Sequence, residues 1–176
     1  MRARRVRFRG PSPLPGDRST GGLPWYQQGP DPDTLPYCPL PADLQPVGTP
    51  GAPGGLRVVF DPRVWFAMQD FALADPAGER GGLMVGGVYR DEAGPYVLAA
   101  ACLPSTCARS LHEGVFFGPD AWAELEQAWR RLPEPRVVVG WFHSHPGFGI
   151  FLSGYDRFTA SRYFPRWWQV TCVVDP

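Results

Sequence analysis

The chain has 176 residues but no lysine and no asparagine, and it contains a single isoleucine, Ile150. A GC-rich genome explains such a composition, and so does protection from conjugation to lysine; the sequence does not separate the two. Formal net charge is zero and the pI is about 6.8. We therefore expect no nucleic acid partner and no binding to an acidic membrane surface.

Long apolar runs are also absent. No stretch of about 18 apolar residues occurs, so we expect no membrane span. The first nine residues, MRARRVRFR, resemble the basic start of a signal peptide, but prolines and glycines follow where an apolar stretch should stand. We therefore expect a cytoplasmic protein.

Cysteine is scarce: the chain has four, and none forms a CxxC pair. Cys102 and Cys172 lie in apolar runs and are typical of small buried side chains. Cys107 has no base near it in sequence, which disfavours a cysteine nucleophile.

Composition divides the chain at about residue 55. Residues 1–55 hold 12 of the 22 prolines and 9 of the 21 glycines, and no helical or strand period persists there. Proline removes backbone donors and favours extended chain, so this part is predicted to be a largely irregular tail or arm. Trp25, Tyr26, Leu35 and Tyr37 are its candidate anchors. Residues 56–176 are predicted to form the folded domain.

Periodicity and turn residues in the second part predict alternating strands and helices. Asp61 before Pro62 is a helix N-cap signal, and Asp91 to Gly94 separate two apolar runs as in a hairpin. The expected order is strand 56–60, helix 61–74, strands 82–90, 95–103 and 110–117, helix 118–132, strand 135–145, helix 153–164 and strand 168–175. This order indicates an α/β or α+β domain with a mixed sheet flanked by helices.

Two of the three histidines lie together, and the third, His112, is typical of a surface or strand residue. His143 and His145 are two positions apart at the end of a strand, so both imidazoles face one side. Asp156 follows eleven residues later, at the start of the next helix. Two histidines and one carboxylate leave a fourth position open, as in catalytic zinc sites. A structural role for the histidines, and a plain capping box for Ser153 and Asp156, are the alternatives.

The run GWFHSHPGFGIFLSGYD, with its His-x-His, seven residues, Ser, two residues and Asp, resembles the JAMM signature of the MPN-domain metallopeptidases. It is similar to the deubiquitinase subunit of the proteasome lid and the deneddylase subunit of the COP9 signalosome, and we expect a bacterial member. The resemblance covers residues 56–176. It implies the MPN/JAB, cytidine deaminase-like fold, one catalytic Zn²⁺, and His143, His145 and Asp156 as its ligands.

The same resemblance assigns the acid–base and the oxyanion donor. The family requires a glutamate just before a small-apolar strand, and ERGGLMVGG places Glu79 there; Glu92, in a polar hairpin tip, is the rival. Glu79 would deprotonate the attacking water and protonate the leaving amine. Ser153 would hydrogen-bond the developing oxyanion. Phe148, Phe151 and Trp141 are either core residues or contacts for a substrate tail.

The resemblance implies hydrolysis of an isopeptide or peptide bond after the C-terminal Gly-Gly of a ubiquitin-like protein. Two alternatives remain: a processing hydrolase for a sulfur-carrier protein, and a non-catalytic MPN scaffold, a class whose members lose the motif residues kept here. The family domain runs on beyond the last strand seen here, so a C-terminal truncation is also expected. Sequence does not give the oligomeric state.

Overall fold

The computed structural model describes residues 23–47, 55–111 and 114–176. The arginine cluster of the first nine residues and His112 lie outside the described residues. The elements are β1 (Arg57–Phe60), α1 (Pro62–Leu73), β2 (Gly81–Asp91), β3 (Gly94–Pro104), β4 (Arg109–Leu111), β5 (Gly114–Phe116), α2 (Pro119–Arg130), β6 (Val137–Ser144), α3 (Gly154–Tyr163) and β7 (Val170–Val174). None of these helices is long and apolar enough to cross a bilayer.

The predicted mixed sheet is confirmed. Its strand order is β1-β3-β2-β6-β7, with parallel pairs at both edges and antiparallel pairs in the centre. β2 and β3 form the predicted hairpin, and Asp61 caps α1 by accepting the Arg63 amide hydrogen. The interior position of β6, between β2 and β7, matters most for the site because His143 lies near its C-terminal end and His145 directly follows it.

Helices cover both faces of this sheet, so each face has its own core. On one face Met68 and Ala72 of α1 pack with Phe142 of β6. On the other, Trp122 of α2 packs with Trp141 of β6. Burial on both faces explains why β2 and β6 are nearly continuous apolar runs rather than alternating ones.

A β-bulge in β6 changes which side chains face which core. Met84 pairs with Gly140 and Val85 with Val138, which leaves Val139 without an opposite residue. Gly140 has φ +155°, and a Cβ there would collide with the Val170 carbonyl, so only glycine fits. Beyond the bulge Trp141 shares a core with Val138 rather than with Val139.

One predicted element is wrong. The run 110–117, expected to be a single strand, is split into β4 and β5, which pair antiparallel with Leu111 opposite Gly114. Gly114 has φ +156°, a conformation that side-chain-bearing residues rarely adopt. The chain therefore reverses before Gly114, and this small hairpin is separate from the main sheet.

Part of the N-terminal segment contributes to the core. Tyr26 and Leu35 are buried, as expected of anchors, whereas Tyr37 is 55% exposed. The Tyr26 ring lies 4.5 Å from that of Trp122, centroid to centroid, and its carbonyl accepts a hydrogen bond from the Gln169 side chain. The described part of this segment is thus joined to α2 and to the loop before β7.

Replacing Tyr26 with alanine is expected to lower the free energy of unfolding by about 3 kcal/mol or more, because it empties a large buried aromatic site. Tyr37→Ala is the matched control, since this exposed tyrosine of the same segment should change stability by no more than about 0.5 kcal/mol. Urea denaturation of the two variants measures both values. Equal effects would show that Tyr26 does not anchor the segment.

Glu124 of α2 holds the turn between β3 and β4. Its carboxylate accepts hydrogen bonds from the Ser105 and Thr106 hydroxyls and from the Thr106 and Cys107 amides. Partial burial alone would raise the pKa of Glu124, but these hydrogen bonds outweigh it and lower the pKa. The charged form is therefore the one that stabilises the folded state.

Glu124→Gln is expected to cost about 1–2 kcal/mol at pH 7, since a neutral amide replaces a carboxylate that accepts several bonds. Because the folded pKa is lowered, the wild-type advantage is complete above the unfolded pKa of about 4.3 and is lost as pH falls through the folded value. Denaturation of both proteins at pH 7 and pH 3 measures this. A stability difference that does not change with pH would exclude the charge as its source.

Candidate metal centre and catalytic site

His143 and His145 converge at the end of β6. Both side chains are buried, with residue exposures of 0% and 1%. Their Nε2 atoms lie 3.0 Å apart. The Nδ1 of His145 lies 2.9 Å from the Gly149 carbonyl oxygen. Since a carbonyl only accepts, Nδ1 carries the hydrogen and the Nε2 lone pair faces His143.

Asp156 reaches the same point from α3. Ser153 is the N-cap of this helix and Asp156 its N3 residue, and the reciprocal bonds of a capping box are present. Asp156 Oδ2 lies 3.3 Å from His143 Nε2 and 3.7 Å from His145 Nε2. The capping box and the cluster with the histidines therefore coexist: helix capping holds the carboxylate where it meets the imidazoles.

These three residues could hold a metal ion. In a tetrahedral zinc site with bonds of about 2.0–2.1 Å, neighbouring ligand atoms are about 3.3 Å apart. The three distances in this cluster, 3.0, 3.3 and 3.7 Å, lie on both sides of that value. Asp156 Oδ1 is buried with no hydrogen-bond partner in the described part of the chain. The donor set and its spacing fit zinc.

Glu79 lies beside this cluster, with Oε1 4.0 Å from His145 Nε2. Because Gly81 pairs with His143 in the antiparallel β2–β6 ladder, Glu79 stands opposite His145, on the same face. Its backbone amide donates to the Ser110 hydroxyl. The next residue, Arg80, exchanges two hydrogen bonds with Ser144. These contacts fix the backbone that presents the carboxylate.

Burial dominates the electrostatics of Glu79. It raises the pKa of this carboxyl, and the nearby Asp156 adds to the rise, while His145 and His143 act in the opposite direction. For Asp156, burial also acts to raise the pKa, but hydrogen bonding and charge from His143, with hydrogen bonds from Ser153, lower it overall. The two carboxyls are thus shifted apart, a pattern found at acid–base sites.

A cleft of about 750 Å³ opens on the cluster. Glu79, His145 and Ser153 line it, as do Phe148 and Phe151. Phe148 is 64% exposed and Phe151 52%, so both present apolar surface to an incoming ligand. The cleft joins the candidate catalytic residues to an apolar surface.

Trp141, the third candidate contact for a substrate tail, lies behind the site. It is fully buried and stacks on His143, with ring centroids 4.5 Å apart and an interplanar angle of 13°. Its indole N–H donates to the Thr171 hydroxyl at 2.9 Å. We therefore propose that Trp141 packs behind His143 and does not contact the substrate directly.

Three residues around the site were not identified from the sequence. Ser144 lies between the two histidines, and its position there was the only available signal. Asp175 directly follows β7 and accepts hydrogen bonds from the Gly147 and Gly149 amides. Ser110 reaches Glu79 only because β4 turns back towards β2, and no local pattern indicates that contact.

Comparison with known proteins gives partial matches. Over 96 residues, 54% of this chain and 30% of the relative, it is 35% identical to the 26S proteasome non-ATPase regulatory subunit 14 of Drosophila melanogaster. It is 51% identical over 41 residues, 22% of this chain and 11% of the relative, to COP9 signalosome complex subunit 5 of Caenorhabditis elegans. It is 38% identical over 55 residues, 31% of this chain and 18% of the relative, to the ubiquitin carboxyl-terminal hydrolase RPN11 of Saccharomyces cerevisiae. No family model matches the chain.

These partial matches confirm the predicted resemblance to the proteasome and COP9 signalosome subunits of the JAMM/MPN+ family. The matched segments cover less than a third of each relative's length.

Proposed function

We propose that the protein is a zinc-dependent metallopeptidase that hydrolyses the isopeptide or peptide bond after the C-terminal Gly-Gly of a ubiquitin-like protein. The observation that carries this proposal is the convergence of His143, His145 and Asp156 at spacings of 3.0–3.7 Å, with the Glu79 carboxylate 4.0 Å from His145. Buried imidazoles and carboxylates in this arrangement favour a metal-assisted hydrolase over a non-catalytic scaffold, because a scaffold does not need these side chains.

His143, His145 and Asp156 would hold a zinc ion. The bound ion would lower the pKa of a water towards about 7 and would polarise the scissile carbonyl. Because the ligand set carries only one negative charge, a bound Zn²⁺ would leave the site with a net positive charge, which would favour the developing oxyanion.

Glu79 moves the proton. Its raised pKa brings a carboxylate closer to the range in which it can both accept a proton from water and return it to the leaving amine. The contacts of its backbone with Ser110 and of Arg80 with Ser144 hold it in place. No covalent intermediate with the protein is needed.

Ser153 orients the carbonyl. It lines the cleft next to Glu79 and His145. A serine hydroxyl can donate a hydrogen bond to a substrate oxyanion. A fixed donor of this kind contributes roughly 10²–10³-fold to the rate.

The substrate class rests on the cleft and on the relatives. Phe148 and Phe151 line an open, partly apolar cleft that suits an extended tail with no side chain at its last two residues. One relative's name describes a ubiquitin carboxyl-terminal hydrolase. A peptide of two glycines lets the backbone approach the buried ligands closely, as bulkier residues would not.

The test is cleavage of a ubiquitin-like protein ending in Gly-Gly and fused to a reporter, with wild-type protein, with and without a zinc chelator. A matched fusion ending in Ala-Ala is the control. We expect cleavage of the Gly-Gly fusion only, stopped by the chelator and restored by Zn²⁺. Cleavage that survives complete metal removal contradicts the proposal, and so does equal cleavage of both fusions.

A further inference from the structure

The loop after β6 is tied to the segment after β7 by one carboxylate. Asp175 Oδ1 accepts the Gly147 amide hydrogen at 2.8 Å, and Oδ2 accepts that of Gly149 at 2.9 Å. The preceding residue, Val174, accepts the His145 amide hydrogen at 2.8 Å. The first half of the loop, residues 145–149, is therefore held by two consecutive residues at the end of β7.

Gly149 connects this carboxylate to an imidazole. Its N–H donates to Asp175 and its C=O accepts from His145 Nδ1 at 2.9 Å. Gly147 and Gly149 have φ of +72° and +85°, which lets two alternate amides point at one acceptor. The Phe148 amide between them donates to the His145 carbonyl at 3.3 Å, and Asp175 supplies the contacts that hold the Gly147 and Gly149 amides.

We propose that Asp175 is a positioning residue for His145: by holding the backbone at Gly147 and Gly149 it places the Gly149 carbonyl, and this carbonyl fixes the Nδ1–H tautomer and the ring orientation that direct Nε2 to the metal site. A histidine that binds a metal through one ring nitrogen commonly donates a hydrogen bond from the other, and this hydrogen bond holds the ring in place. The inference rests on the proposed zinc function. It adds a residue 19 positions after Asp156, the last residue of the motif.

The test compares Asp175→Ala and Asp175→Asn in the full chain with Asp31→Ala, which removes another exposed carboxylate that accepts a backbone amide, far from this loop in sequence. Zn²⁺ affinity is measured by competition with a chromogenic chelator. We expect Asp175→Ala to bind zinc about 10–100-fold more weakly, Asp175→Asn to lose less because one oxygen still accepts, and Asp31→Ala to match wild type.

A second readout needs no metal. Long-range ¹⁵N–¹H spectra of the metal-free protein report which ring nitrogen of His145 carries the hydrogen. We expect a single Nδ1–H form in wild type and mixed tautomers in Asp175→Ala. The spectra also show whether the variant is folded, and Asp175→Asn repeats the test if it is not.

The outcomes separate the two proposals. Wild-type zinc binding together with unchanged affinity and an unchanged tautomer in Asp175→Ala would overturn the positioning role alone. A wild-type chain that does not bind Zn²⁺ would overturn the metallopeptidase proposal and this inference together. An equal loss in Asp31→Ala would mean that the effect is general destabilisation, and would overturn the inference as well.

Discussion

His143→Ala is expected to abolish stoichiometric zinc binding. The variant removes one of three converging ligands and leaves Asp156 and His145, with Nε2–Oδ2 at 3.7 Å, as the remaining pair. Loss of a hydrogen-bonding partner of a ligand costs about 10–100-fold in affinity, and loss of the ligand itself should exceed roughly 100-fold. Metal analysis after dialysis against a weak chelator, followed by a zinc titration, measures the change.

The control is His112→Ala, which removes the only histidine outside the pair. It should bind zinc as wild type does. Equal zinc content in wild type and His143→Ala would refute the metal site, whereas a loss in His112→Ala as large as in His143→Ala would place the ligands elsewhere. Because His143 stacks on the buried Trp141, circular dichroism of the variant must show a folded chain before its zinc content is interpreted.

Glu79→Gln is expected to keep zinc within a few-fold of wild type and to lower cleavage of the Gly-Gly fusion by about 10²–10⁴-fold. Gln has the shape of Glu but cannot take a proton from water or pass it to an amine. Oε1 of Glu79 is 4.0 Å from His145 Nε2, farther than the 3.0–3.7 Å spacings within the ligand set, so we expect zinc to be held without this residue.

Glu92→Gln is the matched control for Glu79→Gln. Glu92 was the rival candidate from the sequence, and it is exposed at the tip of the β2–β3 hairpin. It should cleave at the wild-type rate. Cleavage retained in Glu79→Gln and lost in Glu92→Gln would move the acid–base to the hairpin tip. A Glu79→Gln chain that loses zinc would instead make this residue part of the metal site.

The sequence predicted those parts of the fold that depend on interactions between residues close together in the chain. Asp61 before Pro62 and Ser153 three residues before Asp156 are capping patterns whose hydrogen bonds form within one turn, and both occur in the structure. The period of two places His143 and His145 on one side of β6, and they meet there. Such features need no knowledge of the rest of the chain.

Contacts between residues far apart in the chain could not be predicted from local sequence patterns. Glu79 and His143 are separated by 64 positions, and only the antiparallel register of β2 and β6 brings them together. Family resemblance supplied that pairing; periodicity did not. The reversal before Gly114 was missed because the run SLHEGVFF was interpreted as one strand although a glycine interrupts it. The contacts of Ser110 and Asp175 depend on those same tertiary placements.

Because of the bulge at Gly140, the face of the sheet on which the two histidines lie depends on the number of residues in β6. Side chains alternate along β6, so the face that His143 takes depends on whether an even or an odd number of residues separates it from Val138. The unmatched Val139 is the one residue that sets that count. An insertion of two residues on this strand would preserve the phase, whereas removing this one would turn Trp141 and both imidazoles towards α1, away from Asp156. The chemistry of the cleft therefore depends on the length of β6 as well as on the identity of its residues.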